Sequence, residues 1–425
     1  MKSAAILVLA LALRPWGDPA SAYPLDASAE TGILRLEAYK MAESILLERG
    51  GLKPGSLLSS AQIQLRLRNS DFRTPALDPE FTAEIQGMLG PDEPFYGISV
   101  LDLTDPANPR LAEINGNHTQ NPGSVGKLMV ALAWFQALAD LYPDDIDARK
   151  KVLFETQITA NDFIIKDTHV VPFWKPGDPM VIRRPIEIGD TASLWTWFDW
   201  MASASSNAAG SQLISELVLL REFGSDYPVS PEASAAYFAN TPQAELTKKL
   251  SQALEAPITR NGLDLSHLRQ GSFFTRVGKL RVPGTSSLAT SAELLHYLVL
   301  MEEGKLVDPF SSLEIKKLIY LTDHRIRYAA SPALDSSAVY FKSGSLYSCR
   351  PEEGYTCEKY MGNRWNFLNS ATIVETHDPG QPLHYIVVVL SNVLKKNSAE
   401  EHKNLATQIH RLLERQHPPK RALSL

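Results

Sequence analysis

Apolar and polar positions repeat along the chain with two different periods. Residues 95–114 contain two apolar runs separated by an Asp- and Pro-rich turn, which predicts a strand hairpin. Residues 128–138 are almost entirely apolar and predict a buried helix. A capping box at Thr290–Glu293 predicts a further helix that ends at Gly304, and Asp308 begins the next one.

The last third of the chain returns to the strand period. A turn signal, Pro379-Gly380, separates the second and third of these strands, and an amphipathic helix follows them. Sequential hairpins imply an antiparallel sheet of about five strands flanked by helices, with a mostly helical subdomain over about 124–320. The predicted fold class is therefore α+β. The predicted C-terminal elements are strands at 338–346, 366–376 and 384–390 and a helix at 400–415.

Two parts of the chain lack a clear period. Residues 150–190 are rich in proline and predict a loop-rich insertion, whereas residues 225–289 predict short helices. Between them, Asp190 or Thr191 is the expected cap of a helix that contains three tryptophans. Their spacing favours a place in the core or in a groove wall over a cofactor site. These tryptophans are Trp195, Trp197 and Trp200.

The N-terminus has the pattern of an export signal. Lys2 precedes an apolar run, and residues 20–22 form a small-residue cleavage site. Residues 1–22 are therefore predicted to be a cleaved signal peptide, with an ordinary buried helix as the alternative. The mature protein is expected in the periplasm or outside the cell. Residues 23–80 are predicted to form a helical extension and linker, and residues 81–420 the main domain.

Composition excludes several classes of function. The 425 residues carry a net charge of −6, so no basic surface for nucleic acid is expected. No apolar run reaches the length of a membrane span, so no stable membrane insertion of the mature chain is expected. An apolar share of 44% and a charged share of 21% are typical of a soluble globular protein, and we expect a monomer. No C-x-x-C, H-E-x-x-H or clustered histidine pattern occurs, so neither a metal nor a cofactor is predicted.

The chain has two cysteines, Cys349 and Cys357. In an oxidising compartment their close spacing suits a disulfide that closes a local loop. Two free thiols are the alternative.

Ser124 and Lys127 stand at the start of the predicted apolar helix. Residues i and i+3 lie on one face of a helix, so the Lys127 amine can reach the Ser124 hydroxyl. A helix start also presents backbone N–H groups and positive potential to a bound anion. This pair is a candidate nucleophile with its base. Taken alone, it is also compatible with an N-cap serine followed by a solvated lysine.

Two further motifs accompany this pair. S-x-x-K occurs at Ser124–Lys127, S-x-N at Ser205–Asn207 and K-[S/T]-G at Lys342–Gly344, each once and in this order. Together they resemble the active site of the penicillin-recognising serine hydrolases, the β-lactamase and D,D-peptidase superfamily. The resemblance covers about residues 90–416, and its layout is closest to class A β-lactamases. It implies a β-lactamase/transpeptidase-like fold.

The resemblance also implies a role for each motif residue. Ser124 would attack a carbonyl and become acylated, with Lys127 as its base. The pKa of Lys127 must then fall from about 10.4, through burial or through the charge of Lys342. Ser205 would relay a proton to the leaving nitrogen. The substrate would be bound by Asn207, Lys342, Ser343, Gly344 and Ser345, with the backbone N–H groups of Ser124 and Ser345 forming an oxyanion hole.

The sequence departs from class A in one important respect. The E-x-x-L-N motif, whose glutamate activates the deacylating water, is not found after Ser205. Glu232, Glu245 and Glu255 lie in the right interval, but none is followed by the asparagine. Acylation is therefore better supported than release of the acyl group.

The predicted function is an exported serine hydrolase, class A β-lactamase-like, that opens β-lactam amides through an acyl-enzyme on Ser124. A D,D-carboxypeptidase acting on peptidoglycan stem peptides and a penicillin-binding sensor without turnover are the alternatives. The expected partner is accordingly a small-molecule β-lactam or a peptidoglycan peptide.

Overall fold

The computed structural model describes residues 26–48, 58–322, 325–376 and 380–419. The predicted signal peptide over residues 1–22 lies outside the described residues. The helices are α1 (Ala27–Thr31), α2 (Leu34–Glu48), α3 (Pro79–Leu89), α4 (Lys127–Leu141), α5 (Ile146–Glu155), α6 (Leu194–Ala202), α7 (Asn207–Phe223), α8 (Pro231–Asn240), α9 (Gln243–Arg260), α10 (Arg276–Arg281), α11 (Ser291–Glu302), α12 (Pro309–Tyr320) and α13 (Ser398–Gln416).

The strands comprise one main sheet and three two-stranded pairs. Strands β1, β2, β9, β10 and β11 form the main sheet, and the other strands lie between α5 and α11. The strands are β1 (Tyr96–Asp102), β2 (Arg110–Ile114), β3 (Gln157–Thr159), β4 (Val170–Phe173), β5 (Ile182–Pro185), β6 (Thr191–Ser193), β7 (Leu268–Arg269), β8 (Leu288–Ala289), β9 (Ser337–Ser348), β10 (Trp365–Thr376) and β11 (His384–Asn392).

The main sheet has the order β2-β1-β11-β10-β9, and its pairs are all antiparallel. The prediction of an α+β fold with an antiparallel sheet of about five strands is therefore confirmed. The three C-terminal strands begin and end within two residues of their predicted bounds. Of the predicted turn Pro379-Gly380, Pro379 lies outside the described residues. Strand β9 occupies one edge of the sheet, which leaves its outer side available to the active site.

Both faces of the main sheet are buried. Along β11, Val387 and Val389 contribute to the core shared with α3 and α13, whereas Ile386 and Val388 face the larger core of the helical region. This alternation follows from the two-residue period of a strand. Helix α4 lies deep in the larger core and is buried from Lys127 to Leu138. The turn Gly123–Gly126 that precedes α4 is thus attached to a deeply buried helix.

The structure corrects the predicted start of α6. Its N-cap is Ser193, whose hydroxyl accepts a hydrogen bond from the Thr196 backbone N–H at 3.3 Å. Thr191 belongs to β6, and the Asp190 carboxylate instead accepts two hydrogen bonds of 2.7 Å from Arg184. Asp190 is thus engaged in an ion pair and Thr191 in strand pairing, so neither residue caps the helix. The three tryptophans of this segment are buried in the core, as predicted.

The two segments without a clear period contain more regular structure than the sequence predicted. Residues 170–185 form the β4–β5 hairpin. Residues 243–260 form an 18-residue helix where short helices were expected. Its buried side chains recur at helical spacing, and Pro257 is accommodated near its C-terminal end. These buried residues are Leu246, Leu250, Ala253, Leu254, Pro257 and Ile258.

The predicted disulfide between Cys349 and Cys357 is present, and it closes a loop that begins one residue after β9. The segment Gly123–Leu141 is long and apolar enough to cross a membrane, but 83% of its apolar window is buried inside the protein. It is the central helix of the core. Glu302, Glu375 and His384 lie close enough together to suggest a metal site. The Lys316 Nζ, however, lies 2.6 Å from a carboxylate oxygen of each glutamate, so an ion pair already accounts for the cluster.

The N-terminal segment packs onto the helical region. Ile33 and Leu36 belong to the larger core. Arg35 Nε donates to the Asp199 carboxylate at 2.6 Å, and its Nη2 donates to the Leu321 carbonyl at 2.9 Å. Both charged side chains are almost fully buried, at 2% and 0% exposure. The pair ties α2 to α6.

We predict that Arg35→Ala lowers the free energy of unfolding by about 3–5 kcal/mol, because it leaves the Asp199 charge buried without its partner. Denaturant unfolding measures the loss. Lys151→Ala, which removes an exposed pair with Glu155, is the matched control and should change little. Equal effects of the two substitutions would contradict the structural role of the Arg35–Asp199 pair.

Candidate active site

Ser124 lies in a single 3₁₀ turn, Gly123–Gly126, that leads directly into α4. Gly123 adopts a φ of +54°, and a Cβ there would lie 3.0 Å from the backbone nitrogen of Ser345. Its N–H donates to the Asn121 Oδ1 at 2.9 Å. The glycine is therefore needed both for its left-handed backbone and for its close approach to β9.

Residues of strands β9 and β10 contact the serine turn and the residues just before it. Asn369, on β10, donates through Nδ2 to the Asn121 carbonyl at 3.0 Å, and Gln120 donates to the Asn369 Oδ1 at 2.5 Å. On β9, a Cβ at Gly344 would lie 2.1 Å from the Pro122 carbonyl oxygen. The glycine of the third motif thus lets the backbone of the serine turn pack directly against the edge strand.

Lys127 connects the first two motifs. Its side chain is buried, and its Nζ lies 2.8 Å from the Ser124 Oγ, 2.8 Å from the Ser205 carbonyl oxygen and 2.8 Å from the Asn207 Oδ1. Three acceptors match the three donors of a lysine ammonium. When the amine is neutral, it keeps one lone pair, which can accept the proton of the Ser124 hydroxyl.

Burial lowers the pKa of Lys127 to about 7, and the carboxylate of Asp167 opposes this shift. The sequence left burial and the charge of Lys342 as alternative causes of this lowering, and desolvation is the main cause. Lys342 is affected in the same way, since its pKa is held well below the usual value by burial, by Lys127 and by Arg327. Two buried ammonium groups repel each other, which favours a neutral amine at this centre.

The Ser205 turn lies between the two lysines. Lys342 Nζ donates to the Ser205 Oγ at 2.8 Å, while Lys127 donates to the carbonyl of the same residue. Ser205 has a φ of +59°, which is unusual for a residue with a side chain. Such backbone strain persists where the surroundings fix it, and it concentrates at functional sites. The structure therefore brings the three sequence motifs together at one turn.

The serine turn opens onto a cleft of about 570 Å³. One wall is the outer edge of β9 with Ser345 and Leu346, and the opposite wall comes from residues 270–287. The Phe274 ring covers Lys127, with its centroid 4.7 Å from the Nζ. Ser343 is buried and does not line the cleft, although its carbonyl accepts a hydrogen bond from Lys342. Its predicted contact with a substrate carboxylate stays a prediction.

No carboxylate lines this cleft within the described residues. Of the three glutamates noted in the sequence, Glu232 lies in the exposed first turn of α8, and Glu245 pairs with Lys249 at 3.5 Å. Glu255 accepts hydrogen bonds from Ser251 at 2.7 Å and from Thr285 at 3.3 Å, behind the cleft wall. The missing class A glutamate is therefore not replaced by any of the three.

Sequence reasoning missed three residues of the site. Phe274 and Gln270 come from the segment predicted to form short helices, and Asp167 from the proline-rich segment. Gln270 is buried and lines the cleft, and its Oε1 has no hydrogen-bond partner among the described residues. None of the three belongs to a motif or to a periodic pattern, so the sequence carried no local signal for them.

No protein-family model matches this chain, and no curated protein matches it in sequence. Solved structures do match in fold. The structure of PBP-A aligns with a TM-score of 0.51 at 12% identity, covering 81% of this chain and 100% of that one. A PBP-A point mutant, solved as an acyl-enzyme with penicillin G, aligns with a TM-score of 0.51 at 11% identity, covering 81% and 100%. A β-lactamase from Sphaerobacter thermophilus has a TM-score of 0.50 at 12% identity, with 80% and 99% covered.

The chain has the fold of the penicillin-recognising serine hydrolases. A variant of the class A β-lactamase of the last common ancestor of Gram-negative bacteria gives the same result, with a TM-score of 0.50 at 16% identity, covering 80% of this chain and 100% of that one. The β-lactamase/transpeptidase-like fold predicted from the motifs is thus confirmed. At these identities the likeness is one of fold.

We predict that acylation of Ser124 by a penicillin speeds up as pH rises, with half of the plateau rate reached near pH 7, the pKa of Lys127. Only the unprotonated amine can take the serine proton, so the rate is lost as the pH falls through this pKa. The acylation rate constant measured from about pH 5 to about pH 9 tests this. A rate that still rises in proportion to hydroxide concentration at about pH 9, as an amine with the ordinary lysine pKa of about 10.4 would give, would contradict it.

Proposed function

We propose that this protein is an exported serine hydrolase of the penicillin-recognising type, which forms an acyl-enzyme on Ser124. The observation that carries the proposal is the 2.8 Å contact between the Ser124 Oγ and the buried Nζ of Lys127. This lysine has a lowered pKa and is held by the second motif, which is what an activated serine requires. The disulfide supports export, because such bonds persist in oxidising compartments.

The acylation step follows from these contacts. Neutral Lys127 accepts the Ser124 proton while Oγ attacks the carbonyl carbon of the substrate. The backbone N–H groups of Ser124 and Ser345 face the developing oxyanion; loss of one such donor costs about 2.7–4 kcal/mol in a well-studied protease. The proton then passes through the Ser205 hydroxyl, which Lys342 contacts, to the leaving nitrogen. The carbon–nitrogen bond breaks; the amine of a peptide substrate then departs, whereas the amine of an opened β-lactam stays attached to the acyl group.

The cleft suits a short extended peptide or a compound that imitates one. Strand β9 is an edge strand, and residues near its end line the cleft, so a peptide backbone can pair along it. Lys279 and the hydroxyl groups of Thr285, Ser286 and Ser287 line the opposite wall. These groups offer donors to a carboxylate or to polar side groups. The stem peptide of peptidoglycan and the β-lactams both fit this chemistry.

The surroundings of Lys127 favour slow release of the acyl group. Phe274, an aromatic ring without a proton acceptor, covers Lys127, and the described cleft residues include no carboxylate to activate water. We therefore rank a D,D-peptidase that is acylated by penicillin above rapid class A-type β-lactamase hydrolysis. The β-lactamase activity is the second candidate, favoured by the fold shared with β-lactamases. A sensor that acylates without turnover is the third.

We predict that the purified mature protein gains the mass of an intact penicillin. The lifetime of this adduct should be many times longer than the turnover time of a fast β-lactamase. Intact-mass spectrometry over time measures both formation and loss. Ser124→Ala should form no adduct while retaining its thermal unfolding midpoint. Release of D-alanine from a stem peptide would separate the peptidase from the sensor.

Two results would contradict this ranking or the whole proposal. Rapid return to the free mass with hydrolysed penicillin would place the β-lactamase first. A wild-type protein that forms no adduct with penicillin and releases nothing from a stem peptide would remove the proposed function.

We predict that Gln270→Glu shortens the lifetime of the penicillin adduct. The substitution keeps the length of the side chain, removes the Nε2 donor that contacts the Ser272 carbonyl, and adds a proton acceptor to the cleft, which is what deacylation by water requires. Adduct decay followed by intact mass provides the test. Gln252→Glu, at an exposed position of α9, is the matched control and should leave the lifetime unchanged. Equal lifetimes for all three proteins would show that a missing carboxylate at this position does not limit release.

A further inference from the structure

Asp167 contacts the residues that follow Ser205 and is not among the residues that line the cleft. Its Oδ2 accepts hydrogen bonds from the Ser206 hydroxyl at 2.9 Å and from the Ala208 backbone N–H at 2.8 Å. Its Oδ1 contacts the Nδ1 of His169 at 2.5 Å and accepts from the backbone N–H of that residue at 3.2 Å. The carboxylate is 5% exposed. It thus joins the loop before β4 to the first turn of α7.

The second motif of this chain lacks an acidic residue that its counterpart carries. Class A β-lactamases have S-D-N, whereas the chain reads Ser205-Ser206-Asn207. Asp167, nearly forty positions earlier, brings a carboxylate to Ser206. The negative charge also lies at the N-terminus of α7, where the helix dipole and the free N–H groups stabilise it. Its pKa is held low, since the hydrogen bonds and charge of His169 and the Ala208 N–H outweigh burial.

We propose that Asp167 is a positioning residue for acylation, which holds the Ser205–Asn207 turn in its strained form and sets the charge balance around Lys127. This inference rests on the proposed function, because it assigns a role in the same acyl transfer. Asp167 touches neither the substrate cleft nor Ser124 among the contacts described, so it acts through the turn.

Asp167 affects the site in two ways, through its hydrogen bonds and through its charge, and experiments can separate the two. Its hydrogen bonds fix the turn whose carbonyl and amide oxygens receive the Lys127 ammonium. Its charge raises the pKa of Lys127 against the effect of burial. Around Lys127, the other groups are the Lys342 ammonium on β9, the uncharged Asn207 amide on α7 and the Phe274 ring. His169 flanks Asp167 on its other side, and Lys279 lines the cleft farther out.

The experiment compares penicillin acylation rates across pH for the full mature chain and its variants. Asp167→Asn removes the charge while keeping the shape, so the acid limb of the profile should move to lower pH, because Lys127 loses a proton-stabilising neighbour. Asp167→Ala also removes the hydrogen bonds and should slow acylation by about tenfold to a hundredfold. Asp145→Asn, which alters the remote N-cap of α5, should leave the midpoint unchanged.

A rescue variant distinguishes positioning from a loss of folding. Asp167→Ala combined with Ser206→Asp returns a carboxylate to the turn itself, and aspartate also caps helices well. We expect this pair to recover most of the acylation rate. An unshifted profile for Asp167→Asn together with a wild-type rate for Asp167→Ala would overturn the inference and leave the proposed function standing. Failure of the wild-type chain to acylate would overturn both.

Discussion

Two buried lysines meet at the Ser205 turn, and the arrangement of the candidate active site depends on this meeting. Lys127 donates to the carbonyl of Ser205 and Lys342 to its hydroxyl, each at 2.8 Å. Both side chains are buried, so desolvation destabilises both ammonium groups, and the charges of Lys127 and Arg327 further destabilise that of Lys342. The turn supplies the acceptors that make this burial tolerable. This desolvation also lowers the pKa of Lys127 to about 7, so that its amine can act as a base toward Ser124 at neutral pH.

The rest of the fold serves to hold this centre in place. The sheet provides an edge strand against which the serine turn packs, through the closely approaching Gly123 and Gly344. The helical region provides α4, whose buried length fixes Lys127, and α7, whose first turn carries Asn207. A cleft remains between the two parts, with the reacting groups at its base. Its opposite wall, residues 270–287, covers Lys127 with an aromatic ring rather than a carboxylate, and this is the reason for our proposal of a persistent acyl-enzyme.

Local patterns in the sequence were sufficient for the motif residues and for most of the elements. The i, i+3 spacing of Ser124 and Lys127 predicted a contact that the structure contains, and the caps at Thr290 and Asp308 begin helices where expected. Features that depend on distant segments were not predictable in this way. Asp167 supplies a carboxylate to a turn far along the chain, and Phe274 brings an aromatic ring over Lys127. Both are consequences of packing, which a single sequence does not display.

A direct titration of Lys127 tests the central claim that burial makes this lysine a base near neutral pH. Lysine side chains labelled with ¹³C can be followed by NMR as the pH rises, with Lys127→Arg identifying the signal. We predict that Lys127 titrates near pH 7, well below the pH at which the exposed lysines titrate. A Lys127 signal that remains charged up to about pH 10, as an unperturbed lysine would, contradicts it.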